Sequence, residues 1–314
     1  MLNFKNLFKE KINIYKHVPK KLVLDNPKKV SAVIPNYNYA NYIIERIDSI
    51  LHQTYPLYEL VIIDDKSTDN SVEIIEKKLK KVEKKYPDLK VTFIKNDVNT
   101  GNVFCGWQNA FKYSTGDFLW ICEADDSCSP LFLENVMKGF DNQNTILSYC
   151  ESLTMDENNV ILMKDLREWI DIFQTGKWNQ DYDNTGDMEL ASTLCINNTI
   201  ANVSSVVFRK SPSVNFEQLL KTAQTFRLAG DWYFYTKVLE HGDIHYCKTS
   251  LNYHRMQSKS VTLTTSAKQE YDEICRIQND IMKRVTLSEE VKEKVFKRRD
   301  DKRRCFEIEQ QNNQ

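Results

Sequence analysis

The sequence lacks the charge imbalance and the long apolar runs that mark two common classes of protein. Its 43 lysines and arginines almost balance 44 aspartates and glutamates, which leaves a formal net charge of −1. Such a chain has no overall basic field to neutralise phosphates, so we expect no nucleic-acid partner. Charged residues or Asn interrupt every apolar run before the ~20 residues that are needed to cross a bilayer. The sequence therefore predicts no membrane span.

Cysteine pairs and glycine-rich motifs are absent as well. The eight cysteines are scattered and form no Cys-x-x-Cys pair, which indicates reduced thiols in a cytoplasmic protein. No Gly-x-Gly-x-x-Gly motif follows the first predicted strand, where Pro35-Asn36-Tyr37-Asn38 stands instead. The sequence therefore excludes a classical dinucleotide-binding loop.

The N-terminal segment, residues 1–28, mixes apolar residues such as Phe4, Leu7 and Phe8 with many lysines. It has no uninterrupted apolar stretch and is thus unlike a signal peptide. Two interpretations stay open. The segment forms a basic helix that lies on anionic lipid, or it is an amphipathic helix that docks on its own domain or is frayed.

From Lys29 onward, short β-branched runs alternate with helical stretches, which is typical of βα units that build a largely parallel sheet. The predicted strands are residues 30–35, 59–64, 91–94, 117–123, 146–151, 204–209 and 244–247. The predicted helices are residues 43–51, 72–85, 107–113, 131–140 and 231–240. Residues 154–186 show little periodicity and are predicted to be a long irregular excursion. We expect one α/β domain at 29–265, divided into halves at 29–126 and 127–265, and C-terminal helices at 266–314.

Acidic residues follow two strands of the predicted sheet, where open α/β sheets bind their ligands. Asp64-Asp65 follow the second strand, and Glu123-Ala124-Asp125-Asp126 follow the fourth. Two carboxylate clusters at one sheet edge repel each other unless a positive charge lies between them. A divalent cation such as Mg²⁺ or Mn²⁺, bridging to substrate phosphates, would supply that charge. The alternative is that the aspartates form turns or cap helices, as we expect of Asp69.

Longer motifs resemble a known family. The run VSAVIPNYNYANYIIERIDSILHQTYPLYELVIIDDKSTDNS resembles the opening of an inverting family 2 glycosyltransferase with the GT-A fold. NTGNVFCGWQNAFKYSTGDFLWICEADD resembles the branch that acts in bacterial cell-surface polysaccharide synthesis. NVSSVVFRK, AGDWYFY and LNYHRMQSKSVT continue the similarity, so ordered matches run from Val30 to Thr262.

The resemblance implies a nucleotide site in the first half of the domain. Tyr37, beside Pro35, would stack on the nucleotide base, and Asp65 would accept a hydrogen bond from base or ribose. An aromatic ring next to a carboxylate suits a planar base that carries N–H donors. The alternative for Tyr37 is a half-buried packing residue.

Glu123-Ala124-Asp125-Asp126 occupies the place of the family's DXD motif, with Glu where Asp is commoner. The resemblance implies that Asp125 holds the metal, Mn²⁺ or Mg²⁺, and the diphosphate. Glu123 and Asp126 would support it or touch the ribose, and Asp126 is expected together with His254 among the metal-binding residues. Ala124 belongs to the same expected nucleotide contact.

Asp231, within Gly230-Asp231-Trp232, matches the position of the family's catalytic base, which takes a proton from the acceptor hydroxyl during inversion. Its alternative role is a helix N-cap. Trp232 would stack on a sugar face or pack into the core. His254 and Arg255 would bind metal, diphosphate or acceptor, or would be structural. The relatives' second basic pair is replaced here by Met256 and Gln257.

We therefore expect transfer of a sugar from a nucleoside diphosphate, with UDP expected, to a growing capsule, lipopolysaccharide or similar glycan. Family analogy places the acceptor on a lipid at the inner face of the membrane. Two alternatives are a sugar nucleotidyltransferase and a non-catalytic glycan-binding or scaffold domain. The first would need a glycine-rich, basic loop after the first strand, which Pro35-Asn36-Tyr37-Asn38 is not.

Overall fold

The computed structural model describes residues 10–13, 19–257 and 266–312. Half of the basic segment 1–28, namely residues 1–9 and 14–18, and the end of the LNYHRMQSKSVT motif from Ser258 to Thr262 lie outside these residues. Among the described residues, no helix combines the length and the apolar character that a membrane span requires.

The described residues form one ten-stranded sheet with helices on both faces. The strands are β1 Val30–Asn36, β2 Glu59–Asp64, β3 Lys90–Lys95, β4 Phe118–Ile121, β5 Ser127–Cys128, β6 Thr145–Met155, β7 Ile161–Met163, β8 Tyr182–Asn184, β9 Val206–Arg209 and β10 Asp243–Arg255. The helices are α1 Ile43–Leu51, α2 Ser71–Lys85, α3 Val103–Tyr113, α4 Phe132–Val136, α5 Arg167–Ile170, α6 Gly186–Glu189, α7 Phe216–Ala223, α8 Gly230–Val238, α9 Ala267–Arg284 and α10 Glu289–Asn312.

The strand order is β3-β2-β1-β4-β9-β6-β10-β5, with β7 on β6 and β8 on β10. The β3, β2, β1 and β4 strands are parallel, so their carboxyl ends meet at one edge. The β9 strand runs antiparallel between β4 and β6, and β6 pairs in parallel with β10. This arrangement confirms the predicted α/β class of GT-A type, with a central sheet between helices. The β3-β2-β1-β4 part of the sheet is parallel, whereas the remaining part is mixed.

Two apolar layers cover the sheet because its strands alternate their side chains between faces. On β1, Ala32 and Ile34 face the layer that contains α1, α2 and α4, whereas Val33 faces the layer that contains α3, α7 and α8. Both faces are buried, which is why β1 and β2 read as nearly continuous apolar runs. The predicted C-terminal helices are present, and Ile274, Ile277 and Ile281 of α9 pack into the second layer.

Two predictions of local structure were wrong. Residues 154–186 are not irregular throughout, because they contain β7, α5 and β8. The last strand was predicted at 244–247 but continues to Arg255, with register shifts against β6 on either side of Ser250. Its second half is polar and so carries no apolar alternation for sequence analysis to detect. That extra length brings His254 and Arg255 to the acidic residues that follow β4.

Candidate active site

The loops after β1 and β2 are joined by side-chain hydrogen bonds. Asp64, which is almost fully buried, accepts from Asn36 Nδ2 (2.8 Å), Ser67 Oγ (2.6 Å) and Ser67 N–H (2.9 Å). Asn38 has a positive φ of 61° and accepts at Oδ1 from the Thr68 N–H (2.7 Å). Asp64 is therefore used within the protein, and its neighbour Asp65 is the residue that faces the ligand space.

A cavity of about 330 Å³ lies at the carboxyl ends of β1 and β2. Four of the predicted nucleotide-binding residues line it: Pro35, Tyr37, Asp65 and Glu123. Tyr37 is 43% exposed, so its ring is available for stacking. The cavity has the size of a small-molecule site. The rest of its lining is Asn36, Tyr39, Ile63, Asn96, Asn99, Gly101, Asn102, Val103, Gly106 and Asn109.

Asp65 is held by the loop that follows β3. Its Oδ1 accepts from Asn96 Nδ2 (2.7 Å), and its Oδ2 accepts from the N–H (2.9 Å) and hydroxyl (2.7 Å) of Thr100. A carboxylate oxygen accepts two hydrogen bonds. Oδ1 of Asp65 therefore keeps capacity for a donor on a ligand.

Sequence reasoning missed the α3 side of this cavity. Asn102 caps α3 by accepting from the Phe104 N–H (2.9 Å), and it also lines the cavity. Gly106 lets α3 approach β1 closely, since a Cβ there would lie 3.1 Å from the Cβ of Pro35. The signal that could have revealed this wall is the Asn-Thr-Gly-Asn run after β3, which has the composition of a ligand-facing turn and cap.

Glu123 lies on the floor between this cavity and α3. Its Oε1 accepts from Trp107 Nε1 (3.1 Å), and its backbone N–H donates to Ser204 Oγ (3.0 Å). Burial, together with the nearby Asp125 carboxylate, raises the pKa of Glu123 to about 7. The neighbouring Ala124 is completely buried, so its side chain cannot contact a nucleotide, contrary to the expectation.

Asp125 and Asp126 have different environments. Asp125 is half-buried and accepts from Gln257 Nε2. Burial and the adjacent Asp126 carboxylate raise its pKa. Asp126 is 1% exposed and accepts from the Arg255 N–H (2.9 Å) and from Asn202 Nδ2 (3.1 Å). Burial alone would raise the pKa of Asp126, but the neighbouring His254 outweighs it and lowers that pKa.

These environments decide which carboxylate suits a metal. Among the described residues, no group of three or more His, Cys, Asp and Glu side chains is arranged to hold a cation by itself. Asp126 has both oxygens engaged within the protein, which does not fit its expected role as a ligand. Burial and the neighbouring Asp126 outweigh the opposing effect of His254 on the pKa of Asp125. A single carboxylate completed by diphosphate oxygens fits Mg²⁺ or Mn²⁺.

His254 lies beside Asp126 with its side chain 29% exposed. Its Nδ1 is 2.8 Å from Asn202 Nδ2 and 3.3 Å from Asp126 Oδ1. If Nδ1 accepts from Asn202, the neutral ring carries its proton on Nε2 and is a donor suited to phosphate. If Nδ1 donates to Asp126, Nε2 is free to bind a metal. Burial alone would lower the pKa of His254, but Asp126 raises it.

Arg255 does not face the substrate space, which corrects the expectation of a diphosphate or acceptor contact. The residue is 2% exposed. Its Nε donates to the Asp125 carbonyl (2.6 Å), one terminal nitrogen donates to the Asp156 carbonyl (3.0 Å) and to Asn159, and the other donates to Glu45 (3.0 Å). Arg255 therefore fixes the backbone of the acidic loop from behind.

Asp231 is the second residue of α8, whose N-cap is Ala229, so the N-cap alternative does not hold. It is half-buried, and it accepts from Asn198 Nδ2 (3.0 Å) and from the Trp232 N–H (2.7 Å). Burial raises the pKa of Asp231 to about 6. Trp232 is 3% exposed and donates from Nε1 to the Leu194 carbonyl (2.9 Å), so it packs in the core and is not a sugar platform.

Aromatic packing connects Asp231 to the acidic loop. Tyr235 follows Asp231 by one helical turn, and its buried hydroxyl lies in the field of both Asp231 and Glu123. The Tyr235 ring lies 6.4 Å from that of Trp107, the residue that donates to Glu123. The two carboxylates, one at the start of α8 and the other after β4, therefore both lie near the buried hydroxyl of Tyr235.

Comparisons with known proteins agree with this geometry. The model of the family described as "Glycosyl transferase family 2" matches residues 31–195. A poly(ribitol-phosphate) beta-glucosyltransferase of Bacillus spizizenii is 37% identical over 100 residues, which are 31% of this chain and 15% of that protein. The matched part is thus a small fraction of the relative's own length.

Two solved structures share the fold at low identity. The TarS fragment 1–349 of S. aureus, in complex with UDP, has a TM-score of 0.55 at 18% identity and covers 83% of this chain and 67% of that chain. A mannosyltransferase of Pyrobaculum calidifontis, in complex with GDP-Man and Mn²⁺, has a TM-score of 0.55 at 16% identity. It covers 82% of this chain and 65% of that chain.

The position of Arg255 behind the acidic loop can be tested by Arg255→Lys. Lysine keeps the charge but cannot serve the four acceptors, so we expect the free energy of unfolding to fall by about 2–4 kcal/mol in urea denaturation. Arg303→Lys, an exposed arginine on α10, is the control and should change stability by less than about 0.5 kcal/mol. Unchanged stability combined with weaker nucleotide binding would instead indicate that Arg255 contacts the substrate.

Proposed function

From the premise that this chain belongs to glycosyl transferase family 2, we propose that it transfers a sugar from a nucleoside-diphosphate sugar to a growing cell-surface glycan, with inversion. The glycan would be a capsule, lipopolysaccharide or similar polymer. The observation that carries the proposal is the pairing of a cavity lined by Tyr37, Asp65 and Glu123 with a separate half-buried carboxylate, Asp231, which shares the neighbouring Tyr235 with Glu123.

The donor nucleotide would occupy the cavity at the ends of β1 and β2. Tyr37 would stack on the base, and the remaining capacity of Asp65 Oδ1 would accept a hydrogen bond from base or ribose. Pro35 would form part of the same site. We propose UDP as the nucleotide, and its presence in the related TarS structure supports this choice.

A divalent cation, Mn²⁺ or Mg²⁺, would be held by Asp125 and would offset the charge that develops on the departing diphosphate. The Mn²⁺ in the mannosyltransferase complex supports this assignment. Asp126 would orient Asp125 from below through its bonds to Asn202 and Arg255. His254 would contact the metal or a phosphate oxygen, depending on which ring nitrogen carries the proton.

Asp231 would act as the general base. Inversion by single displacement requires a carboxylate that removes the proton from the acceptor hydroxyl as this oxygen attacks the anomeric carbon. With a pKa of about 6, Asp231 is ionised at neutral pH and is a stronger base than an ordinary aspartate. The Asn198 amide and the Trp232 N–H fix the orientation of the carboxylate.

The acceptor is proposed to be a lipid-linked, growing polymer at the cytoplasmic face of the membrane. Support comes from relatives whose names state transfer to poly(ribitol-phosphate). A peripheral contact with lipid through the basic segment 1–28 belongs to the same proposal.

The nucleotide site is tested by Tyr37→Ala. Loss of a stacking ring should weaken binding of UDP by about 1–3 kcal/mol in isothermal titration, because base–aromatic stacking has this magnitude. Tyr37→Phe should retain affinity. Tyr113→Ala, which removes an exposed ring outside the cavity, is the control. An unaltered dissociation constant in folded Tyr37→Ala would make Tyr37 a packing residue.

The metal assignment is tested by Asp125→Asn. This change removes one charge from the cation's ligand set, so transfer should be lost and UDP binding should no longer depend on added Mn²⁺. The melting temperature should stay near that of the wild type. Asp141→Asn, at an exposed surface carboxylate, should alter neither property. Nucleotide binding with its metal dependence intact would show that Asp125 is not the ligand.

The base assignment is tested by Asp231→Asn, which should reduce kcat by about 10²–10⁴ while UDP affinity stays nearly intact. Because the carboxylate is the active form, wild-type kcat should rise as pH increases through about 6, and the variant should lose this dependence. Asp187→Asn, at an exposed carboxylate, is the control. A rate within about threefold of wild type would show that Asp231 is not the general base.

A further inference from the structure

A second cavity, of about 370 Å³, lies next to the proposed nucleotide cavity. The two share the segment from Gly101 to Val103 at the start of α3. The far wall of the second cavity is the connection between α7 and α8, from Gln224 to Arg227, and Gln269 of α9 closes it. A ligand in this second cavity would therefore adjoin a bound nucleotide without replacing it.

The lining of the second cavity is polar and carries positive charge only. Among its described lining residues, Arg227 alone is ionisable, and its guanidinium forms no hydrogen bond or ion pair within the described part of the chain. Asn102, Gln224 and Gln269 add amide groups. Just outside, Arg276 stacks on the ring of Phe226 at 4.1 Å. Such a lining matches a ligand with anionic and hydroxyl groups.

The wall that carries Arg227 is fixed by one buried carboxylate. Glu273 of α9 accepts hydrogen bonds from three consecutive backbone N–H groups, those of Arg227 (2.6 Å), Leu228 (2.9 Å) and Ala229 (2.9 Å). Three donors on one carboxylate define the path of this segment tightly. The position of Arg227 is thereby set before any ligand arrives.

The same fixed segment continues directly into the proposed base. Gly230 follows Ala229 and packs on Phe104, where a Cβ would lie 2.5 Å from ring carbons. Phe104 itself lines the second cavity. Gly230 therefore begins α8, and Asp231 follows it, so the wall of the second cavity and the proposed base belong to one continuous segment of the chain.

We propose that the second cavity binds the acceptor and that the acceptor is a phosphodiester-linked polyol, with Arg227 contacting a phosphate. This inference rests on the proposed function, because it names the acceptor class of the same reaction. A guanidinium offers parallel N–H donors that match two phosphate oxygens. The amides of Gln224 and Gln269 would contact polyol hydroxyls. A neutral glycan would leave the only charge of the lining without a partner.

The test uses the full chain saturated with UDP and titrated with a short ribitol-phosphate oligomer. We expect binding to the wild type, and we expect Arg227→Gln to weaken it at least about fivefold through loss of a charge-assisted contact. Gln224→Glu, which places a negative charge in the same lining, should weaken it as well. Arg303→Gln on α10 is the matched control and should bind like the wild type. Inorganic phosphate, added at the same concentration of phosphate groups as the oligomer carries, should displace little of the bound oligomer.

Three results would overturn the inference. These are no binding of the oligomer to the wild type, displacement of the oligomer by UDP, and unchanged affinity in Arg227→Gln. Equal competition by inorganic phosphate would likewise reduce the site to a general anion site. Titration with UDP alone separates this failure from that of the proposed function. UDP binding without oligomer binding refutes only the acceptor class, whereas absence of UDP binding refutes the donor site itself.

Discussion

The buried carboxylate of Asp126 joins the two halves of the site. It accepts hydrogen bonds from Asn202 and from the Arg255 backbone, and it lies next to His254. Burying a carboxylate is costly unless charge and hydrogen bonds compensate. His254, and the fully buried Arg46 beneath the loop, supply the positive charge. This compensation stabilises the contact between the loop after β4 and the end of β10, which the pairing of β5 with β10 also holds together.

Once Asp126 and Arg255 fix the loop from behind, Asp125 and Glu123 are free to face the ligand space. Burial first, and the Asp125 carboxylate second, raise the pKa of Glu123, so two acidic side chains lie close together on this face. That proximity is the physical reason to expect a cation together with a diphosphate. Asp126 thus orders the loop, whereas Asp125 and Glu123 lie where a positively charged ligand would stabilise their ionised forms.

Sequence reasoning succeeded where a local pattern has one structural meaning. The parallel strands were predictable because their apolar runs are unbroken, and Tyr37, Asp65 and Glu123 followed because strand ends in such sheets meet at one edge. It failed for Arg255, because a buried, saturated arginine and a phosphate-binding arginine look alike in sequence. The long β10 was missed because its second half is polar, and its partners, such as Asp126, lie far away in the chain.

The donor side and the acceptor side of the proposed site also differ in how far they depend on contacts between distant parts of the chain. The family match ends at residue 195, and it contains the nucleotide cavity and the acidic loop. Asp231 follows the match, and its position depends on Glu273 of α9, which holds the three residues before Gly230. A carboxylate on a C-terminal helix thus orders a segment that lies 44–46 residues earlier in the chain. The C-terminal helices are therefore part of the site, since the base and the second cavity lose a fixed wall without them.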